Sequence, residues 1–142
     1  MGRREIHTLR ETVNIPIEQV WSLASSFGAI KAWMPSVKGV TIKGEGVGAV
    51  RTVNSMAGSV DEKLEILDPV NHVISYRIVD PTPLPAKGGF GTWKLKSIGE
   101  DKTEVTWIAD AEEIDDAGVA VMKPIYEGFM ADSFAGLVKA LS

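Results

Sequence analysis

From Val37 to Glu112 the chain repeats one pattern, apolar and polar residues in alternation, broken only by turn-forming clusters. Side chains on a strand point to opposite faces with a period of two, so such runs read as half-buried strands. The pattern predicts strands over Val37 to Lys43, Val47 to Ser55, Ser59 to Leu67, Val73 to Asp80, Phe90 to Ser97 and Thr103 to Glu112. Gly44-Glu45-Gly46 and Asp68-Pro69-Val70-Asn71 supply turns between them, and Pro81 to Gly89 is too rich in proline and glycine for regular structure. An earlier strand is expected over Ile6 to Ile15, closed by Asn14 and Pro16.

Helical spacing occurs in three places. Ile17, Val20, Trp21 and Ala24 fall on one helical face with Pro16 at the start, and Phe27 to Trp33 reads as a second short helix ended by Pro35. From Val119 to Leu141 the apolar residues Met122, Tyr126, Phe129, Leu137 and Leu141 recur at steps of three or four, with Pro124 expected to start or kink the helix. A strand, two short helices, six strands and a long helix make an antiparallel sheet with helices to one side, hence an α+β fold.

At 142 residues the chain is the size of a single domain, residues 1–142, able to bury its own core. Its net charge of −4 argues against a nucleic-acid partner, since no basic patch is present for phosphates. No apolar run is long enough to insert into a membrane, and nothing marks export, so a cytoplasmic location is expected. Without cysteine there is no thiolate chemistry, and His7 and His72 are too few and too far apart for a histidine metal site or a hydrolase triad. Neither metal nor cofactor is implied. Gly44 to Gly48 leads into a strand and lacks the lysine of a phosphate loop, and Lys87 lies in a flexible loop where it should be solvated and protonated.

Two charges fall on the apolar faces of strands. In Ser59 to Leu67 the face carrying Val60, Leu64 and Ile66 also carries Glu62, and in the preceding strand Val47, Ala49 and Val53 share a face with Arg51. Arg51 and Glu62 are equidistant from a turn near Met56-Ala57, so a hairpin would set them opposite each other. Unpaired charges cost several kcal/mol each to bury, on the order of the penalty for isolated ions, so a partly wet cavity or an ion pair accounts for both. The same alternation puts Tyr76 and Asp80 inward with Ile74 and Ile78, Trp93 with Leu95, and Trp107 with Val105 and Ala109. Tryptophan and tyrosine give broad apolar walls with one polar tip, which suits an aromatic ligand and equally an ordinary core.

Four stretches in order resemble a known family: Val20-Trp21-Ser22-Leu23 with Phe27 and Trp33-x-Pro35, Gly46-x-Gly48-Ala49-Val50-Arg51, Glu62 to Asp68, and Ile74 to Val79. The chain resembles the polyketide cyclase/dehydrase branch of the START-like (SRPBCC) superfamily. That resemblance implies the helix-grip fold, a curved sheet of about seven strands closing on one long C-terminal helix around an internal hydrophobic cavity. The chain is more distantly similar to plant abscisic-acid receptors, in which the residues matching Arg51 and Glu62 line the hormone pocket. It departs from them where Met34 replaces the hormone-binding lysine, where Ser55-Met56-Ala57-Gly58 replaces the gate, and where Pro83-Leu84-Pro85 replaces the latch.

The expected partner is a small hydrophobic molecule, bound by a monomer or homodimer. The expected chemistry is cofactor-independent cyclisation, dehydration or isomerisation of an apolar, polyketide-like or aromatic carbonyl compound. Glu62 would act as general base or acid, Arg51 would tune it and steady a developing enolate, and Tyr76 and Asp80 would relay protons or orient. Trp33, Met34, Met56, Leu84, Trp93, Trp107, Tyr126, Phe129 and Ser133 are the candidate ligand-binding residues, and the Ser55–Gly58 turn and the proline-rich loop are candidate lids. The alternative is a non-catalytic carrier or sensor that uses the same cavity.

Overall fold

Each alternating run folds as a strand, and no helix-length segment separates consecutive strands after the second. The computed structural model describes residues 2–55 and 58–142. Its elements are β1 (Arg4–Val13), α1 (Ile17–Ala24), β2 (Val37–Lys43), β3 (Val50–Ser55), β4 (Gly58–Asp68), β5 (Val73–Ile78), β6 (Lys87–Gly99), β7 (Lys102–Glu113) and α2 (Asp116–Leu141). The seven strands form one sheet in the order β1-β7-β6-β5-β4-β3-β2, with β2 through β7 in sequence order and β1 returning to pair with β7. All neighbouring pairs are antiparallel. Register shifts interrupt the pairing in β1, β2, β4 and β6. Each such bulge raises local twist, which curves a sheet around what it packs on.

The sheet's concave face and α2 enclose the core. Trp93, Val105, Trp107, Met130 and Leu137 are almost fully buried there, with Val20 of α1 beside them. α2 begins three residues before the apolar periodicity does, because Asp115 caps it, accepting from Gly118 N–H at 2.7 Å. Pro124 therefore neither starts nor ends the helix but lies inside it.

Five expectations change. The proline-rich loop stops at Ala86, because Lys87, Gly88 and Gly89 already belong to β6, with Lys87 paired to Glu113 and Gly89 to Ala111 of β7. Phe27 to Trp33 is not a helix but an irregular segment with a single 3-10 turn at Ile30–Ala32, because the Phe27 carbonyl is taken by the Arg51 side chain at 2.8 Å rather than by a helical amide. Val47 lies in the turn before β3 and is 62% exposed, so only Ala49 and Val53 flank Arg51 on the buried face. The bulge between Leu64 and Ile66 moves Ile66 to the outer face, where it is 47% exposed. β5 ends at Ile78, so Asp80 leaves the sheet before alternation could turn it inward.

α2 touches the irregular segment at Gly136, where an added Cβ would sit 1.9 Å from the Trp33 carbonyl oxygen. Helix propensity alone would favour Gly136→Ala by up to about 1 kcal/mol. Overlap with backbone outweighs it, since overpacking costs about 1–3 kcal/mol and neither element can retreat without opening the core. Gly136→Ala is therefore expected to lower the urea midpoint, whereas Gly128→Ala, with open space around its Cβ position, should leave it unchanged or higher.

Candidate functional site

Adjacent strands deliver the two inward charges to one point. Arg51 of β3 and Glu62 of β4 are direct register partners, as the equidistance from the turn required. Both the Nε and Nη2 of Arg51 lie 2.7 Å from the Glu62 Oε1, and Nη1 donates to the Phe27 carbonyl. The guanidinium packs against Phe27 and Tyr76, whose ring centroids are 4.3 and 4.5 Å from its carbon and 6.5 Å from each other. The pair is close to dry, with 4% of the Arg51 side chain and 12% of Glu62 exposed. Each Arg51 guanidinium nitrogen thus has a partner, while among the described residues no hydrogen bond reaches the second Glu62 oxygen, Oε2.

Glu62 borders two neighbouring spaces. Inside, a small void of about 50 Å³ is bounded by Arg51, Glu62, Tyr76, Trp107, Tyr126 and Phe129, with Met34 and Gly91 completing its wall. Outside it, a mostly apolar cleft of about 300 Å³ runs between β3, β4 and α2, past Leu84, Pro85, Val121, Met122 and Ile125. Glu62, Tyr126 and Phe129 border both. The cleft has room for about ten waters at roughly 30 Å³ each, at the small end of ligand sites.

Aromatic rings cluster around the void, and of these Trp107 and Phe129 line it. Trp93 and Trp107, cross-strand partners, stack with centroids 4.4 Å apart, Trp33 meets Trp93 edge-on at 5.6 Å, and Phe129 meets Trp107 at 5.7 Å. Tyr76 can lie across β6 only because its register partner is Gly91, where a Cβ would stand 2.5 Å from the ring. Burial pushes the Tyr76 hydroxyl up to about 12; the Glu62 carboxylate adds to the shift, while Arg51 and the indoles of Trp107 and Trp93 oppose it. The Tyr126 hydroxyl is raised further, by burial first and then by Glu62 and Tyr76. Both phenols remain protonated donors beside a carboxylate.

The expected site residues divide. Glu62, Arg51, Tyr76, Met34, Trp107, Tyr126 and Phe129 line the inner void, and Leu84 the outer cleft. Trp93 and Ser133 are sealed in the core, and Trp33 faces a separate open groove with Lys31 and Lys139, so these three border neither space. Asp80 is exposed beyond β5; its Oδ2 accepts from the Gly88 amide at 2.9 Å, which ties down the proline-rich loop rather than placing a proton near Glu62. Met56 lies outside the described residues. Sequence reasoning missed Phe27 and Gly91. An isolated glycine inside a strand pattern signals close approach of another group, so Gly91 was findable, whereas nothing in the sequence marks a carbonyl that receives an arginine.

A curved antiparallel sheet gripping a C-terminal helix, with a cavity between them, defines a protein of the helix-grip class. The chain belongs to the family described as polyketide cyclase/dehydrase and lipid transport, whose model matches residues 7–142. Among solved structures it is similar to one from Thermobifida fusca, with 25% identity, a TM-score of 0.80 and coverage of 94% of this chain and 92% of that one. The Zhui aromatase/cyclase from a Streptomyces species shares the fold at 20% identity and a TM-score of 0.72, covering 99% and 92%. Norcoclaurine synthase from Thalictrum flavum, solved with dopamine and hydroxybenzaldehyde, does so at 15% identity and a TM-score of 0.81, covering 99% and 87%.

Two outcomes follow from this geometry. Arg51→Met strands a buried carboxylate and the Phe27 carbonyl, so it should cost about 3–5 kcal/mol in denaturant unfolding, the range for breaking a buried pair on one side. The chain has two tyrosines, Tyr76 and Tyr126, so tyrosinate absorbance of the folded protein should rise well above the ordinary value near 10. A raised phenol binds its proton more tightly when folded, so this contribution to stability is full below about pH 10 and is lost as pH climbs toward the Tyr76 value of about 12. Titration at the value of free tyrosine in the folded protein would refute the burial.

Proposed function

We propose that the protein binds a small, mostly apolar carbonyl compound with its polar end at Glu62 and promotes cyclisation, dehydration or isomerisation by acid-base catalysis. The observation that carries this reading is the unequal use of the Glu62 carboxylate, with Oε1 fixed by Arg51 and Oε2 unengaged, on a side chain bordering the void and the cleft. A base held in one rotamer by a buried arginine, with one oxygen free, is positioned to take a proton α to a carbonyl. Tyr76 and Tyr126, protonated at working pH, would donate to the carbonyl oxygen as negative charge develops on it. The floor of Trp107 and Phe129 would hold the ring or chain in a folded conformer, so part of the rate would come from positioning.

The family membership agrees with this reading, as do the cyclase and synthase activities named for proteins of the same fold. A carrier or sensor is the second reading, favoured by one feature: each of the three Arg51 guanidinium nitrogens has a partner within the protein, as a purely structural ion pair would have it. Glu62→Gln separates them. With a substrate drawn from an extract of the host's apolar metabolites and followed by mass spectrometry, the variant should retain binding of the uncharged ligand and lose turnover by about 10²–10⁴-fold, the usual contribution of a general base. Recovery of every bound compound chemically unchanged by the unsubstituted protein would instead establish the carrier.

A further inference from the structure

The electrostatics of the cavity restrict its ligand more narrowly than its apolar walls do. Among the described residues lining the void and the cleft, the only side chains with a full charge are Arg51 and Glu62. The positive charge is already engaged: Nε and Nη2 are turned to Glu62, Nη1 to the Phe27 carbonyl, and the Phe27 and Tyr76 rings pack against the guanidinium. The one unengaged atom of the pair is a carboxylate oxygen. An acidic ligand entering along Leu84 and Tyr126 would thus meet a negative oxygen first, with no free cation behind it and little water to screen the encounter. The available groups otherwise are one strong acceptor, Glu62 Oε2, and two phenol donors, Tyr76 and Tyr126.

Building on the reading above, we infer that the site selects uncharged ligands presenting a hydroxyl or N–H donor to Glu62 and a carbonyl acceptor to the tyrosines, and rejects carboxylic acids of the same shape. Selection resides in the Arg51–Glu62 pairing. Remove the negative partner and the same cavity becomes receptive to anions, because the guanidinium then lacks a counterion. Substrate and product would both be neutral ketones, enols or phenols. A free fatty acid or an aromatic carboxylate would be excluded even where it fits the 300 Å³ cleft.

The test uses three naphthalene probes of equal body, naphthol, acetonaphthone and naphthoate, titrated against the intact protein at neutral pH by calorimetry and by quenching of tryptophan fluorescence. Naphthol and acetonaphthone should bind, and naphthoate should bind at least about tenfold more weakly, equivalent to about 1.4 kcal/mol. In Glu62→Gln the order should reverse, with naphthoate gaining about tenfold on acetonaphthone. The comparison within the unsubstituted protein stands whether or not that variant folds. Naphthoate binding as tightly as acetonaphthone to the unsubstituted protein overturns the selection and leaves the cavity reading intact. Failure of all three to bind overturns the cavity reading itself, and the selection with it.

Discussion

The buried ion pair between Arg51 and Glu62 organises more of this structure than any single apolar contact. It fixes the β3–β4 register, since a slip of one residue would send one charge to each face of the sheet. It holds the segment after α1 out of a helical conformation by claiming the Phe27 carbonyl. It also seats the rings of Phe27 and Tyr76 against the guanidinium, so two walls of the void depend on it. Such pairs seldom add net stability over apolar replacements, because desolvating both charges offsets their attraction. Here the pair's effect is one of arrangement, and it sets Glu62 at the border of the void and the cleft.

That arrangement divides the interior in two. Behind the pair, Trp93 and Trp107 stack across strands in one buried cluster with Met130 and Leu137 of α2. In front, α2 presents Val121 and Ile125, 56% and 61% exposed, toward the rim of the cleft. The apolar residues of α2 thus serve two ends, core packing in the C-terminal part and cavity lining toward the N-terminus. Its N-terminal turn is tied to the proline-rich loop, since a Cβ on Gly118 would approach the Pro85 carbonyl oxygen to 2.7 Å. Leu84 and Pro85 are thereby held at the cleft between a capped helix and the Asp80–Gly88 hydrogen bond.

Much of this was legible in the sequence because it follows from periodicity. Strand alternation located all seven strands and placed Arg51 opposite Glu62, and the three-to-four spacing located both helices. What alternation could not reveal is where it breaks. The bulge after Leu64 reverses the faces of Ile66 and Leu67 without any residue that announces it. Asp80 continued the pattern on paper, but β5 stops two residues short, and its carboxylate finds a backbone amide instead. Trp33, Trp93 and Ser133 had the right faces and still miss the cavity, because periodicity distinguishes inward from outward and not core from void.

The same limit explains why function is harder to read than fold. Inward-facing aromatics satisfy packing whether or not a ligand is ever present, so their number argues for nothing by itself. The asymmetry of one carboxylate is different in kind. A pair retained only for register could use both Glu62 oxygens, and a bidentate match to arginine is the stronger arrangement. Here both guanidinium nitrogens converge on Oε1 while Oε2 is left to the cavity, with two tyrosines whose protons are held by burial. That oxygen is not sealed in the core, since 12% of the Glu62 side chain is exposed beside phenols kept protonated by burial. A neutral ligand supplying hydrogen bonds there would complement the arrangement, in keeping with the proposed function.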